Sequence, residues 1–178
     1  MKITGTGSAT PDKILSNYDL EKIVETSDEW ITSRTGIKER RIADKDVASS
    51  DLGYEASIKA MEAASIDPSD IDGVIVGTIT PDHFFPATSC IIQDRLSITN
   101  AFAFDLLAGC SGFLYALQVG KGIIDSGNAE NILLVGTEVI SKILDYEDRT
   151  TCILFGDGAG AAVISKSKTP GILSIKIS

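Results

Sequence analysis

The chain is poor in the residues that mark several functional classes. It has a single histidine, His83, and its three cysteines show no CxxC spacing, so neither a metal site nor a disulfide framework is supported. No apolar run approaches the roughly 18 residues of a membrane span, and residues 1–11 lack the continuous apolar block of a signal peptide. With 16 Lys and Arg against 25 Asp and Glu, the net charge of −9 argues against a general nucleic-acid binder. We therefore expect a soluble protein of the cytoplasm, without nucleic-acid or membrane partners.

What the chain does have is an alternation of short apolar segments and segments of helical period. The predicted strands are rich in β-branched or aromatic residues and are bounded by polar residues or glycine: 73–79, 101–107 and 131–136. The predicted helices follow an amphipathic pattern: 50–65, 86–96 and 111–126. Strands that alternate with helices of this length predict an α/β fold, with a largely parallel sheet covered on both faces.

The closing part of the chain is glycine-rich and then polar. The run 155–163 differs from a dinucleotide-binding fingerprint, because Ala161 replaces the third glycine and the following residues are strand-like. We interpret this run as a tight turn between two strands. Two further strands are predicted at 159–165 and 171–178, joined by the polar segment 166–170.

Cys110 occupies a position that favours nucleophilic chemistry. It follows the predicted strand 101–107 and precedes the helix that begins near Ser111, where free backbone N–H groups and the helix dipole favour a thiolate. The flanking Gly109 and Gly112 would let a substrate approach the backbone closely. The alternative is a buried cysteine that packs beneath the end of a strand.

The remaining thiols and the histidine favour structural interpretations. His83 lies in a loop bracketed by prolines, so a surface histidine is favoured over an acid–base partner for Cys110. Cys90 falls in the helix 86–96 and Cys152 in a strand predicted at 150–155. Both are interpreted as packing residues.

Four cations cluster with the only tryptophan: Arg34, Lys38, Arg40 and Arg41 follow Trp30. A flat indole with nearby guanidinium groups can stack on an adenine while the cations contact phosphates. A solvated helix end anchored by the tryptophan is at least as good an interpretation.

Taken in chain order, several stretches resemble the N-terminal half of the β-ketoacyl-[acyl-carrier-protein] synthase III family, thiolase-fold condensing enzymes that initiate bacterial fatty-acid synthesis: 5–7, 26–31, 34–37, 104–105, 108–113 and 155–162. The resemblance implies a thiolase-like half, with a mixed, mostly parallel five-stranded sheet and helices on both faces. It places this domain at 1–166, and makes 167–178 the connection into the start of a C-terminal half. Family members are about two such halves long.

The resemblance also assigns roles to individual residues. It makes Cys110 the nucleophile that takes an acetyl or other short acyl group from coenzyme A as a thioester. Phe85 would cross a homodimer interface and line the partner's acyl pocket. The implied coenzyme A site comprises Thr26, Trp30, Arg34 and Arg149. No resident cofactor is implied, because acetyl-CoA is a substrate, and malonyl-acyl carrier protein is the second substrate.

The chain departs from the family in one large respect. The histidine and asparagine that promote decarboxylation, and most of the carrier-protein docking surface, belong to the family's second half, and His83 does not fall at the catalytic position. We therefore expect a shortened chain that cannot condense on its own. The alternative is a non-catalytic half-domain that acts by assembling with a complementary chain.

Overall fold

A five-stranded mixed sheet lies at the centre of the computed structural model, which describes residues 1–169 and 171–177. Its strands are β1 (Lys2–Ala9), β4 (Gly73–Gly77), β5 (Phe102–Leu106), β6 (Asn131–Val139) and β7 (Asp157–Ser165). Two further strands, β2 (Ile14–Ser16) and β3 (Glu39–Arg41), form a separate antiparallel pair. The order across the sheet is β1-β7-β6-β4-β5. β4 pairs in parallel with β5 and β6, whereas β7 is antiparallel to both β1 and β6. All strands except β7 therefore run in one direction, which confirms the predicted mixed, mostly parallel five-stranded sheet.

Helices cover both faces of this sheet. The helices are α1 (Asn17–Leu20), α2 (Asp28–Thr35), α3 (Ser49–Ala64), α4 (Thr88–Arg95), α5 (Gly112–Asp125) and α6 (Arg149–Cys152). Val74 and Val76 of β4 pack with α3 and α4 on one face, while Ile75 packs with α5 on the other. Burying such side chains contributes about 1.5–3 kcal/mol each, so the alternation along β4 ties both helical layers to the sheet. The predicted helices at 50–65, 86–96 and 111–126 are confirmed as α3, α4 and α5.

The first strand was not predicted, because its glycines resemble loop residues. Gly5 and Gly7 lie against α3, where a Cβ on either would come within 2.3 Å of the carbonyl oxygen of Ala60 or Ala56. Glycine is therefore required for the close approach of β1 and α3. The pattern marks a tightly packed strand rather than a turn.

Three local predictions in the closing part are wrong. The glycine-rich run is not a turn, since β7 extends unbroken from Asp157 to Ser165 between β1 and β6. Residues 150–155 do not form a strand, because the Asp148 side chain accepts a hydrogen bond from the Thr150 N–H and caps α6. Residues 171–177 contain no strand, and Ser178 lies outside the described residues. The division at 166 and 167 stays a prediction.

None of the helices in the described part of the chain combines the length and apolar character needed to traverse a bilayer.

Candidate active site

Backbone geometry places Cys110 at the edge of the sheet. The residue lies in a single 3₁₀ turn, Gly109–Ser111, between β5 and α5. Gly109 has a φ of +51°, a conformation that favours glycine. At the end of β4, a Cβ on Gly77 would lie 3.0 Å from the carbonyl carbon of Gly112, so the start of α5 rests directly on that strand. The structure thus places Cys110 as predicted, between a strand and a helix N-terminus.

The Cys110 side chain is exposed and borders a cavity of about 620 Å³. Most of the cavity wall is apolar: Ile79, Ile140, Ile143, Leu144 and Phe155. The polar lining residues are Glu138, Asp145 and Thr151. A thiol at the N-terminal end of a helix, next to an apolar cavity, is suited to accept a short acyl group.

Glu138 fixes one wall of this cavity and was missed in the sequence. Its carboxylate accepts hydrogen bonds from the backbone N–H groups of Ile79 (2.8 Å) and Thr80 (3.0 Å). The hydroxyls of Thr78 (3.2 Å) and Thr80 also donate to it. Because β4 and β6 are parallel neighbours, the C-terminal end of β6, which carries Glu138, lies beside the residues that follow β4. The predicted parallel pairing of these strands was the signal in the sequence that could have identified Glu138.

A second cluster is centred on the indole of Trp30. The guanidinium carbon of Arg34, one turn further along α2, lies 4.4 Å from the ring centroid. The guanidinium carbon of Arg149, the first residue of α6, lies 4.8 Å from it. Both distances are typical of cation–π contacts. The structure therefore brings together three predicted residues, Trp30, Arg34 and Arg149, which we call the indole clamp.

Thr26 lies beside this clamp. Its hydroxyl oxygen is buried and has no hydrogen-bond partner among residues 1–169 and 171–177. The preceding carbonyl, of Glu25, accepts a hydrogen bond of 3.1 Å from Arg149. A buried hydroxyl without a partner is unusual in a folded chain, and here it is next to the residues of the clamp.

The other cations of the predicted basic cluster do not contact the indole. Lys38 lies 3.9 Å from the carboxylate of Asp28, and Arg41 lies 3.8 Å from that of Glu39. Arg40 is only 4% exposed. These cations therefore do not form a joint phosphate-binding cluster, which corrects that expectation. Arg40 and Arg41 are consecutive residues of β3, so their side chains leave the strand on opposite sides.

Burial separates the other two cysteines from the chemistry of Cys110. Cys152 is fully buried in an apolar cluster with Leu20, Ile31 and Ile153. Burial, and secondarily the charge of Asp148, raises the pKa of the Cys152 thiol. Cys90 is half-buried in α4. Their interpretation as packing residues is consistent with these positions.

The loop that contains His83 is exposed and lies beside the cysteine cavity. His83 is exposed and does not line that cavity. Phe85 is 88% exposed and Phe84 fully so. A second cavity of about 710 Å³ runs along this loop and shares Ile79 and Ile143 with the first. The prediction of a surface histidine is confirmed.

Comparison with known proteins agrees with this geometry. Residues 104–178 match the family model described as 3-oxoacyl-[acyl-carrier-protein (ACP)] synthase III. The chain is 57% identical over 164 residues to a β-ketoacyl-[acyl-carrier-protein] synthase III of Caldanaerobacter subterraneus subsp. tengcongensis, covering 92% of this chain and 50% of the relative. It is 54% identical over 173 residues to the enzyme of the same name from Xanthomonas oryzae pv. oryzae, covering 97% and 53%.

The chain is similar to β-ketoacyl-[acyl-carrier-protein] synthase III over nearly its whole length. Its fold matches the crystal structure of 3-oxoacyl-[acyl-carrier-protein] synthase III from Aquifex aeolicus VF5, with a TM-score of 0.92 and 49% identity over 94% of this chain and 54% of that one. It also matches the priming β-ketosynthase of the R1128 polyketide pathway, with a TM-score of 0.93 and 40% identity over 96% and 51%. The chain spans about half the length of the curated synthase III relatives it matches. The family resemblance and the thiolase-like half predicted from the sequence are confirmed.

Proposed function

We propose that this chain carries out the acyl-transfer step of a β-ketoacyl-[acyl-carrier-protein] synthase III reaction, with Cys110 as the acyl acceptor. The observation that carries the proposal is the exposed Cys110 thiol at the start of α5, next to an apolar cavity. The Cys110 thiolate attacks the carbonyl carbon of acetyl-CoA and forms a new thioester. The carbon–sulfur bond to coenzyme A breaks, and coenzyme A leaves as a thiolate that takes up a proton.

The indole clamp would hold the adenine end of coenzyme A. Trp30 offers an aromatic face, and the exposed Arg34 and Arg149 beside it offer charge for phosphate groups. The unpartnered Thr26 hydroxyl supports a polar contact with the ligand. Acetyl-CoA is a substrate in this scheme, and no resident cofactor is required.

Condensation requires groups beyond Cys110. Malonyl-acyl carrier protein would lose CO₂, and its carbanion would attack the Cys110 acyl carbon, forming a carbon–carbon bond and releasing the thiolate. His83 is the only histidine, and it lies outside the Cys110 cavity. We propose that this chain acylates itself but needs complementary residues for decarboxylation.

Phe85 supports a homodimer within this proposal. A side chain of this size that is 88% exposed, beside the fully exposed Phe84, favours burial against a second copy. Phe85 would then line the acyl pocket of that copy. We propose that this dimer acts in the cytoplasm.

Mass spectrometry after incubation with acetyl-CoA tests the acyl-transfer proposal. The wild-type chain should gain one acetyl group, and Cys110→Ser should gain none. Cys90→Ser is the matched control, because Cys90 is also a free thiol but is half-buried, and it should acylate normally. An adduct that persists in Cys110→Ser would remove Cys110 from its role.

A non-catalytic assembly unit is the second candidate. It is favoured by exposed apolar side chains at one end of the sheet, among them Leu107 (67% exposed) and Leu114 (58% exposed). Such a unit would bind a complementary chain without forming an acyl-enzyme. Gel filtration, combined with the acylation assay, distinguishes the acyl-transfer function from the assembly function. A monodisperse monomer that acylates itself would contradict a function in assembly alone.

A further inference from the structure

A buried guanidinium lies behind the indole clamp. Arg40 donates from Nε to the Ile153 carbonyl (3.0 Å), from Nη2 to the same oxygen, and from Nη1 to Asn17 Oδ1 (2.5 Å). No carboxylate in the described part of the chain forms an ion pair with it. A charge buried without a countercharge is costly, so these neutral acceptors are essential to keep Arg40 in place.

Asn17 extends this network to both ends of α2. The residue is fully buried, and its Nδ2 donates to Asp28 Oδ1 (2.8 Å) and to the Ile37 carbonyl (2.8 Å). Asp28 begins α2, and Ile37 follows the Gly36 that ends it. One side-chain amide therefore holds the helix that carries Trp30.

The same network reaches α6 from the other side. Ile153 immediately follows α6, and its carbonyl oxygen is the acceptor for Arg40. Arg149 begins α6 and lies over Trp30. Ile153, Arg40, Asn17 and Asp28 thus form one hydrogen-bonded connection between the two helices that meet at the indole.

Apolar packing alone would not fix the spacing of these helices. The cluster between them comprises Leu20, Ile31, Cys152 and Ile153, which attract one another without directional preference. Hydrogen bonds depend steeply on distance and angle, and the planar guanidinium holds its donors in a fixed fork. The polar connection is therefore the part of the interface that sets the register.

We infer that Arg40 and Asn17 are positioning residues that set the distance between Trp30 and Arg149, and so determine how tightly coenzyme A is held. The inference rests on the proposed coenzyme A site. It predicts an effect on affinity rather than on chemistry, since neither residue lines the Cys110 cavity.

The single tryptophan provides a direct readout. In Arg40→Lys the charge remains but the fork is lost. Loosening the clamp should raise the acrylamide quenching constant of Trp30, and the dissociation constant for coenzyme A should rise about tenfold, the value of one well-formed cation–π contact. The rate of Cys110 acylation at saturating acetyl-CoA should stay within about twofold of wild type. Arg41→Lys, the neighbouring and half-exposed arginine of β3, should change none of these.

Asp28→Ala provides a second test that leaves Arg40 and Asn17 themselves unchanged. Asp28 is partly exposed, and its removal breaks the connection at the end next to solvent. We expect about a threefold loss of affinity for coenzyme A, with native circular dichroism. This variant decides the question if Arg40→Lys does not fold.

The outcomes separate the inference from the proposed function. If the wild-type chain does not bind coenzyme A, the proposed site is wrong, while ligand-free quenching still tests whether Arg40 positions Trp30. If folded Arg40→Lys and Asp28→Ala both match wild type in quenching and affinity, the positioning inference is wrong. If acylation at saturation falls in parallel with affinity, the residues have a general structural role and the inference is overturned.

Discussion

Cys110 and the indole clamp are held in place by different means. Cys110 depends on backbone: a left-handed glycine, Gly109, and the contact of Gly77 with the first residue of α5. The clamp depends on side chains: Arg40 and Asn17 join helices that are distant in sequence. Backbone placement tolerates changes in the surrounding side chains, whereas a polar network fails when one member is removed.

The largest expected effect tests the backbone side of this comparison. In Gly77→Val, the new Cβ would lie 3.0 Å from the Gly112 carbonyl carbon and 3.2 Å from the Phe113 nitrogen, and these backbone atoms cannot rotate away. The Cβ alone requires the start of α5 to shift by a few tenths of an ångström, and the two valine methyl groups add to this shift. A displacement of 1 Å costs about a hundredfold in rate, so we expect Cys110 acylation to fall by up to about that factor. The acylation rate measured by mass spectrometry checks this.

Gly160→Val is the matched control for Gly77→Val. Gly160 is also a strand glycine, in β7, but a Cβ there would meet no atom within 4 Å. Its acylation rate should stay near wild type. A Gly77→Val chain that acylates as fast as Gly160→Val would show that this contact does not position Cys110.

The next effect tests the side-chain part of the comparison. Asn17→Ala would remove one hydrogen bond each from the Arg40 Nη1 donor, the Asp28 carboxylate and the Ile37 carbonyl. We expect the free energy of unfolding to fall by about 2–4 kcal/mol, because buried polar groups lose their partners. Acylation at saturating acetyl-CoA should change much less than in Gly77→Val. Urea denaturation gives the free energy.

Asn128→Ala is the control for this loss. Asn128 is exposed, and within the described residues its amide donates only to the Ser126 hydroxyl. The expected change is within about 0.5 kcal/mol. Equal losses in the two variants would contradict a special role for Asn17.

The same comparison explains what the sequence could predict. The strand and the helix that flank Cys110 lie in one contiguous stretch, 101–126, where strand, glycine-bracketed cysteine and amphipathic helix are each visible in the local pattern. The partners of Arg40 lie 23 and 113 positions away in the chain. No local periodicity marks such contacts. The cations between positions 34 and 41 were therefore predicted to act together, although the burial of Arg40 separates it from the others.

Two errors in the fold have the same kind of cause. Thr150, Thr151 and Ile153 favour a strand by propensity, but the Asp148 cap stabilises a helix. Gly5 and Gly7 disfavour a strand locally, but close packing on α3 requires them. In both cases a specific contact overrides the average preference of the residues.

A smaller effect is expected where a side chain contributes to the Cys110 cavity. The backbone N–H groups of Ile79 and Thr80 donate to the carboxylate oxygens of Glu138. In Glu138→Gln, a side-chain NH₂ group would replace one of these acceptor oxygens and face a donor. We expect a loss of about 1–2 kcal/mol in unfolding free energy and only a few-fold slower acylation, because the Cys110 backbone remains supported by Gly77. Glu130→Gln is the control, since Glu130 is 72% exposed in a surface ion pair with Lys166. A Glu138→Gln rate as low as that of Gly77→Val would break the comparison.

The smallest effect concerns pH and the end of the polar network next to solvent. The hydrogen bond from Asn17 is the main cause that holds the pKa of Asp28 below its ordinary 3.8. A lowered folded-state pKa means that the carboxylate stabilises the fold above pH 3.8, and that this contribution is lost as pH falls through the folded-state value. The urea midpoints of wild type and Asp28→Asn should therefore differ most near neutral pH and converge in acid. Comparing the two proteins cancels the titration of Asp19 and Asp148, whose pKa values are also lowered. If the difference between the two urea midpoints stayed constant with pH, the charge of Asp28 would not stabilise the network. Its effect would then come from the shape of the side chain alone.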